Sequence, residues 1–217
     1  MFADRFEAGR RLAEVLEPLR DEEAIVLALP RGGVPVGVEI AQSLGAPLDV
    51  LVARKLGAPG NPELGIGAIA EGGTVSLDPD LCYSLGLRAR DIERVAAYEL
   101  RELDRRVRRY RGSRPLPDVQ GRTVILVDDG IATGGTMRAA VGTLRRLHVA
   151  RLVVATPVAA TQPEGLRALV DDFVCLEEHA HFGSVGRFYR NFTQVSDEEV
   201  LELLARAHME AHLHQAG

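Results

Sequence analysis

Val124-Ile125-Leu126-Val127-Asp128-Asp129-Gly130-Ile131-Ala132-Thr133-Gly134-Gly135-Thr136 and its continuation to Leu147 decide how the rest of the chain is read. Val124 to Val127 are all apolar and three of them are β-branched, the pattern of a strand buried on both faces of a parallel sheet. Beyond Thr136 the period changes. Met137, Ala140, Val141, Leu144 and Leu147 fall on one face of a helix, so Asp128 to Thr136 is the loop that joins strand to helix.

That loop has two chemistries. Gly130, Gly134 and Gly135 let backbone N–H groups turn inward, and the helix start adds unpaired donors and a positive dipole end, which together suit a phosphate. Ile131 and Ala132 lie within the same turn, and the hydroxyls of Thr133 and Thr136 add hydrogen bonds for the anion. Asp128 and Asp129 would repel a phosphate and suit hydroxyl groups or a metal ion instead. A phosphate, a diol and a divalent cation close together describe a phosphorylated ribose. Two other readings fit less well. Gly130 and Gly135 have P-loop spacing, but Thr136 stands where the lysine belongs. A plain glycine turn does not explain two acids followed by two threonines.

The stretch Val-Asp-Asp-Gly-Ile-Ala-Thr-Gly-Gly-Thr resembles the signature of the type I phosphoribosyltransferases, which bind 5-phosphoribosyl 1-pyrophosphate (PRPP). In form it is closest to the adenine-type members. The resemblance implies an α/β fold: a parallel central sheet flanked by helices, with a hairpin and long-helix insertion and a C-terminal hood. It also implies a single domain over residues 1–217, with its core at about 24–176, the insertion at about 56–121 and the hood at about 177–195.

Elsewhere the chain offers a second loop of the same kind. Ala24 to Leu29 reads as a strand, followed by Pro30-Arg31-Gly32-Gly33-Val34-Pro35 and a helix from about Pro35 to Leu44. In an open α/β sheet, loops after parallel strands share the carboxyl edge, where ligands bind. By resemblance Arg31, Gly32 and Gly33 hold the pyrophosphate, next to a non-proline cis peptide at Arg31. Leu48 to Ala53 reads as a third strand ending in Arg54-Lys55-Leu56-Gly57, similar to the Arg-Lys-x-Gly stretch of adenine-type enzymes. Lys55 is the only lysine among 26 basic residues. A compact ammonium at a strand end pairs with pyrophosphate as charge builds on it, so Lys55 joins Asp128 and Asp129 as a catalytic candidate, with Arg54 beside it.

Gly65 to Ala70 spells a dinucleotide pattern but lacks its strand and helix, and reads as one arm of a hairpin turning at Glu71 to Gly73 with Val75 to Leu77 returning. Leu87 to Tyr110 reads as a long helix whose arginines crowd its end, a solvated face or a phosphate-binding one. After the central unit come a strand at Arg151 to Thr156, a helix at Gln162 to Val170 and a strand at Phe173 to Leu176. Phe182, Phe188, Tyr189 and Phe192 then cluster in a glycine-containing segment that either stacks a planar base or seals the sheet edge, with Phe182 the site candidate.

The first helix, Asp4 to Leu16, is read as packing, and the last, Ser196 to His212, carries a capping-box start and His208, His212 and His214 as a histidine-bearing tail. Cys82 and Cys175 show no metal spacing and read as plain thiols. A net charge of −5 argues against general affinity for nucleic acid, and 46% hydrophobic content supports a full core. No leader or membrane-spanning run is evident, so a cytoplasmic protein is expected.

The resemblance thus implies Mg2+-dependent transfer of the 5-phosphoribosyl group from PRPP to a nitrogen heterocycle such as a nucleobase, with pyrophosphate released. A nucleotide-salvage role and a homo-oligomer go with it. Mg2+ would be held near Asp128 and Asp129 through PRPP or water. Ala132 departs from the hypoxanthine-type members, which carry an Asp there as the base, so the proton acceptor stays open among Glu177, Glu178 and His179. The alternative is a PRPP-binding regulator without transferase activity that acts on nucleic acid or a protein partner. A helper domain of another enzyme is a third reading.

Overall fold

The computed structural model describes residues 1–161 and 165–215, with the backbone alone described over 210–215. In chain order the elements are α1 (Arg5–Leu16), β1 (Ile25–Ala28), α2 (Gly33–Leu44), β2 (Leu48–Val50), β3 (Ala53–Ala58), β4 (Asn61–Ala70) and β5 (Thr74–Leu77). There follow α3 (Pro79–Ser84), α4 (Ala89–Arg111), β6 (Thr123–Val127), α5 (Gly135–Arg146), β7 (Arg151–Ala160), β8 (Asp172–His179) and α6 (Asp197–Gln215).

Five strands form one parallel sheet in the order β2-β1-β6-β7-β8. The apolar run of β6 serves both faces. Ile125 and Val127 pack into the core shared with α1, α2 and α6, whereas Val124 and Leu126 pack with Met137, Ala140, Val141 and Leu144 of α5. This is why β6 shows no polar alternation. From β1 the chain winds through α2 to β2 on one side, and from β6 through α5 to β7 on the other. The adjacent pair β1 and β6 is therefore the topological switch point, and the loops that follow them open the crevice there.

The insertion is a separate antiparallel sheet, β3-β4-β5, with α3 and α4 beside it. The hairpin turns at Glu71 to Gly73 as expected, and the apolar stripe of α4 from Ile92 to Tyr110 packs into the larger core. Among the described residues no helix is long and apolar enough to cross a membrane.

Several boundaries differ from the expectations. The apolar run from Leu48 to Ala53 is not one strand: β2 stops at Val50, and Ala53 already pairs with Ala70 in the insertion sheet, so Arg54 and Lys55 lie inside β3 and not in a loop after a core strand. Helix α2 begins at Gly33, two residues before Pro35. In place of a helix over Gln162 to Val170 the structure has a 3-10 turn at Leu166–Leu169, while residues 162–164 lie outside the described residues. Strand β8 runs on to His179, which makes Glu177, Glu178 and His179 strand residues. At the C-terminus, His208 Nε2 lies 3.1 Å from the Leu48 carbonyl, a packing role, and the side chains of His212 and His214 lie outside the described residues.

Candidate active site

The loops after β1 and β6 meet at the switch point. A Cβ on Gly32 would run into the Asp129 carboxylate, and one on Gly33 would come within 2.7 Å of the Val127 carbonyl and 3.0 Å of Asp128 Cα. Glycine at both positions is what lets the two loops touch. The peptide between Pro30 and Arg31 is cis, as the resemblance implied.

In the second loop Gly134 takes a left-handed conformation, φ 76°, and caps α5 with no side-chain hydrogen bond. Among the described residues, the first amide of this turn with a backbone acceptor is that of Arg138, bonded to the Gly134 carbonyl at 2.8 Å. The amides of Gly135, Thr136 and Met137 have no backbone acceptor among the described residues, and with the dipole of α5 behind them they form an anion cradle. Thr133 and Ala132 are exposed and Thr136 is half-buried, so both hydroxyls are within reach of a ligand. Ile131 instead anchors the turn, donating to the Val158 carbonyl (2.9 Å) and accepting from the Ala160 amide (2.8 Å).

The two carboxylates have different surroundings. Asp129 is buried, and its Oδ2 accepts a hydrogen bond from Arg5 Nε at 2.7 Å. Burial raises its pKa while the Arg5 guanidinium opposes the rise. Asp128 is half-buried, and its Oδ1 accepts from the Asp129 amide at 2.8 Å. Burial, and next the charge of Asp129, push the Asp128 carboxyl well above the usual carboxylate range. Asp128 is thus the carboxylate without an internal cation partner among the described residues, poised for a diol or a cation that would draw its pKa back down.

Nothing local marks Arg5 as part of the site. It sits at the first position of α1, held there because Asp4 caps the helix by accepting from the Glu7 amide at 2.8 Å. From there its guanidinium also donates to the Thr193 carbonyl (2.9 Å) and stacks 3.8 Å over the Phe192 ring. Tyr189, marked by the aromatic cluster as a base-stacking or edge-sealing ring, instead donates its hydroxyl to the Asp129 carbonyl at 2.6 Å. The sequence holds no signal for the arginine, and for the tyrosine only the aromatic cluster around it.

Phe182 is 7% exposed and packs 5.0 Å from Phe188, in a cluster with Phe2, Val158 and Tyr189, so its ring seals the sheet edge in this structure and presents no free face to a base. The hood does abut the motif loop, with Val185 packed on Gly130. At the same edge His179 stacks on Phe188 at 4.4 Å and places Nε2 3.3 Å from Glu177 Oε2, while Glu178 pairs with Arg167.

Alternation along β3 separates Arg54 from Lys55. Arg54 turns toward α4 and pairs with Glu99. Lys55 is exposed and donates to the Glu63 carbonyl across the hairpin, and no described contact joins it to either loop. Arg31 also points to the insertion side, its Nη1 3.9 Å from Asp197 Oδ1 at the start of α6.

No three His, Cys, Asp or Glu side chains converge as a metal site among the described residues. With one oxygen of Asp129 held by Arg5, the donor set fits a Mg2+ shared with substrate oxygens, the usual habit of that ion, and not a cage made by protein alone. Cys175 donates to the Glu177 carbonyl at 3.3 Å and burial pushes its thiol up to about 11, so it stays an unreactive thiol, as does buried Cys82.

The family model described as a phosphoribosyl transferase domain matches residues 4–192. A Mycobacterium tuberculosis protein, provisionally named a phosphoribosyl transferase and represented by strains H37Rv and CDC 1551, is 46% identical over 212 residues, 96% of this chain. The chain spans about half, 47%, of that protein's length. The crystal structure of TT1426 from Thermus thermophilus is 45% identical and superposes with a TM-score of 0.79, covering 95% of this chain and 98% of that one. With the motif loop at the switch point of a parallel sheet and a family match over most of its length, the chain belongs to the phosphoribosyl transferase domain family.

Proposed function

We propose that this chain transfers the 5-phosphoribosyl group of PRPP to a nitrogen heterocycle and releases pyrophosphate, with Mg2+ bound alongside PRPP. The observation that carries the reading is the contact between the two glycine loops, Gly32 against Asp129 and Gly33 against Asp128. One ligand that needs an anion cradle, a diol acceptor and a second anion loop spans all three features.

In this reading the 5-phosphate lies on the amides of Gly135, Thr136 and Met137 with the hydroxyls of Thr133 and Thr136, and the ribose hydroxyls lie on Asp128. Asp129 orients the pair while Arg5 holds it in place. The diphosphate lies along Arg31, Gly32 and Gly33. Lys55 reaches it only if its hairpin contact opens. As the C1–O bond breaks, positive charge spreads over the ribose, and the Asp128 carboxylate stabilises it from a fixed position. The ring nitrogen of the acceptor then bonds C1, and its proton passes to solvent or to the released pyrophosphate. Mg2+, when bound, offsets the charge of the leaving diphosphate.

The test is pyrophosphate release from Mg2+–PRPP against a panel of purines, pyrimidines and related heterocycles. Acceptor-dependent release, lost in the Asp128→Asn, Asp129→Asn double variant, is the expected result. PRPP binding with no release on any acceptor would replace the transferase with a PRPP-sensing regulator.

A further inference from the structure

Among the described residues, helix α4 carries one half-buried arginine that the charge pairing leaves over. Glu99, Leu103, Arg106 and Tyr110 follow one another at helical spacing on the face that packs inward, with Leu103 fully buried. At one end of this row Glu99 pairs with Arg54 of β3. At the other, the Tyr110 hydroxyl donates to Asp197 Oδ1 at 2.6 Å, and Asp197 is also 3.9 Å from Arg31 and 3.4 Å from Arg109. Glu198 takes the remaining demand of Arg109.

Arg106 stands between these two linked groups. It is half-buried and makes no hydrogen bond or ion pair among the described residues. With Glu102, which feels the charges of Arg54 and Arg106 but pairs with Arg105, five arginines (Arg31, Arg54, Arg105, Arg106, Arg109) thus face four carboxylates (Glu99, Glu102, Asp197, Glu198). Burial, then the charges of Arg54 and Arg31, lower the pKa of Arg106, with Tyr110 and Asp197 opposing the shift only in part. Burying a charge without a partner is costly unless an anion arrives to meet it.

We propose that Arg106, with Arg54 and Arg31, forms an anion subsite between the insertion and the Pro30–Gly33 loop, and that it takes the outer phosphate of the substrate's diphosphate. This rests on the PRPP reading above. A planar guanidinium offers a bidentate fit to phosphate, and here it is supplied by the insertion helix and not by either glycine loop. The other α4 arginines differ: Arg90, Arg94, Arg101 and Arg108 are exposed and solvated, Arg105 is exposed and pairs with Glu102, and Arg109 and Arg111 have carboxylate partners.

The test is calorimetric titration of inorganic pyrophosphate, with Mg2+, and separately of ribose 5-phosphate into the full chain. Arg106→Gln is expected to weaken pyrophosphate binding about tenfold or more. It should leave ribose 5-phosphate affinity at the wild-type value, which also reports an intact fold. Arg106→Lys should recover part of the loss, and Arg105→Gln should bind both ligands normally. Wild-type pyrophosphate affinity in Arg106→Gln overturns the subsite, and so does loss of both ligands in that variant. If the wild-type chain binds ribose 5-phosphate but not pyrophosphate, the subsite fails alone; if it binds neither, the PRPP reading fails with it.

Discussion

Arg5 Nε lies 2.7 Å from Asp129 Oδ2, so a residue at the start of the chain holds one of the two carboxylates at the centre of the site. Both side chains are nearly buried, 10% and 12% exposed. Removing the cation leaves a buried carboxylate beside a second one, and breaking such a pair costs about 3–5 kcal/mol. Arg5→Met is therefore expected to lower unfolding stability in denaturant titration by about 3 kcal/mol. Adding Asp129→Asn should restore much of it, because the stranded charge is gone. Additive losses in the double variant would contradict the pairing.

Tyr189 supports the same residue from its backbone. Tyr189→Phe removes the hydroxyl bonded at 2.6 Å to the Asp129 carbonyl and should cost about 1 kcal/mol of stability. Chemical denaturation checks it, and an unchanged midpoint would show that the carbonyl finds another donor.

The raised pKa of Asp128 predicts an unusual pH dependence. The folded state keeps this proton to a higher pH than the unfolded chain does, so between the ordinary carboxylate pKa and the raised one the native state binds more protons. Stability from this residue is complete below the unfolded pKa and is lost as pH rises through the folded pKa. Melting temperature should therefore fall with rising pH more steeply in the wild type than in Asp128→Asn. Parallel curves for the two proteins would contradict it.

Gly32→Ala should separate the two loops, because the new methyl group meets the Asp129 carboxylate. Overpacking of this kind costs about 1–3 kcal/mol. PRPP affinity should fall with it, whereas Gly60→Ala, in an open turn with φ 80°, should cost stability without affecting PRPP. Equal PRPP affinity in Gly32→Ala and the wild type would mean that the loop contact does not shape the site.

How much of this could be read from residue order depends on chain separation. The strand, loop and helix around Asp128 to Thr136 were legible because the hydrophobic period changes within that stretch. Arg31 to Gly33 was legible because a parallel sheet sends both loops to one edge. The path from Leu48 to Lys55 was not: Leu51 and Val52 are as apolar as the strand before them, so periodicity could not show where β2 stops and the insertion begins. The alternation along β3 therefore went unread: it turns Arg54 toward Glu99 of α4 and Lys55 toward the Glu63 carbonyl across the hairpin. The Arg5–Asp129 contact joins residues 124 positions apart, and no local pattern signals it.

The most direct measurement of the central claim, that both glycine loops serve one ligand, is calorimetric titration of PRPP, ribose 5-phosphate and pyrophosphate into the wild-type chain with Mg2+. Linking two binding groups raises affinity by about 10²–10⁴ over either alone. The account predicts that PRPP binds at least about a hundredfold tighter than either part, with one molecule per chain. PRPP that binds no better than ribose 5-phosphate would show that the two loops do not share a ligand.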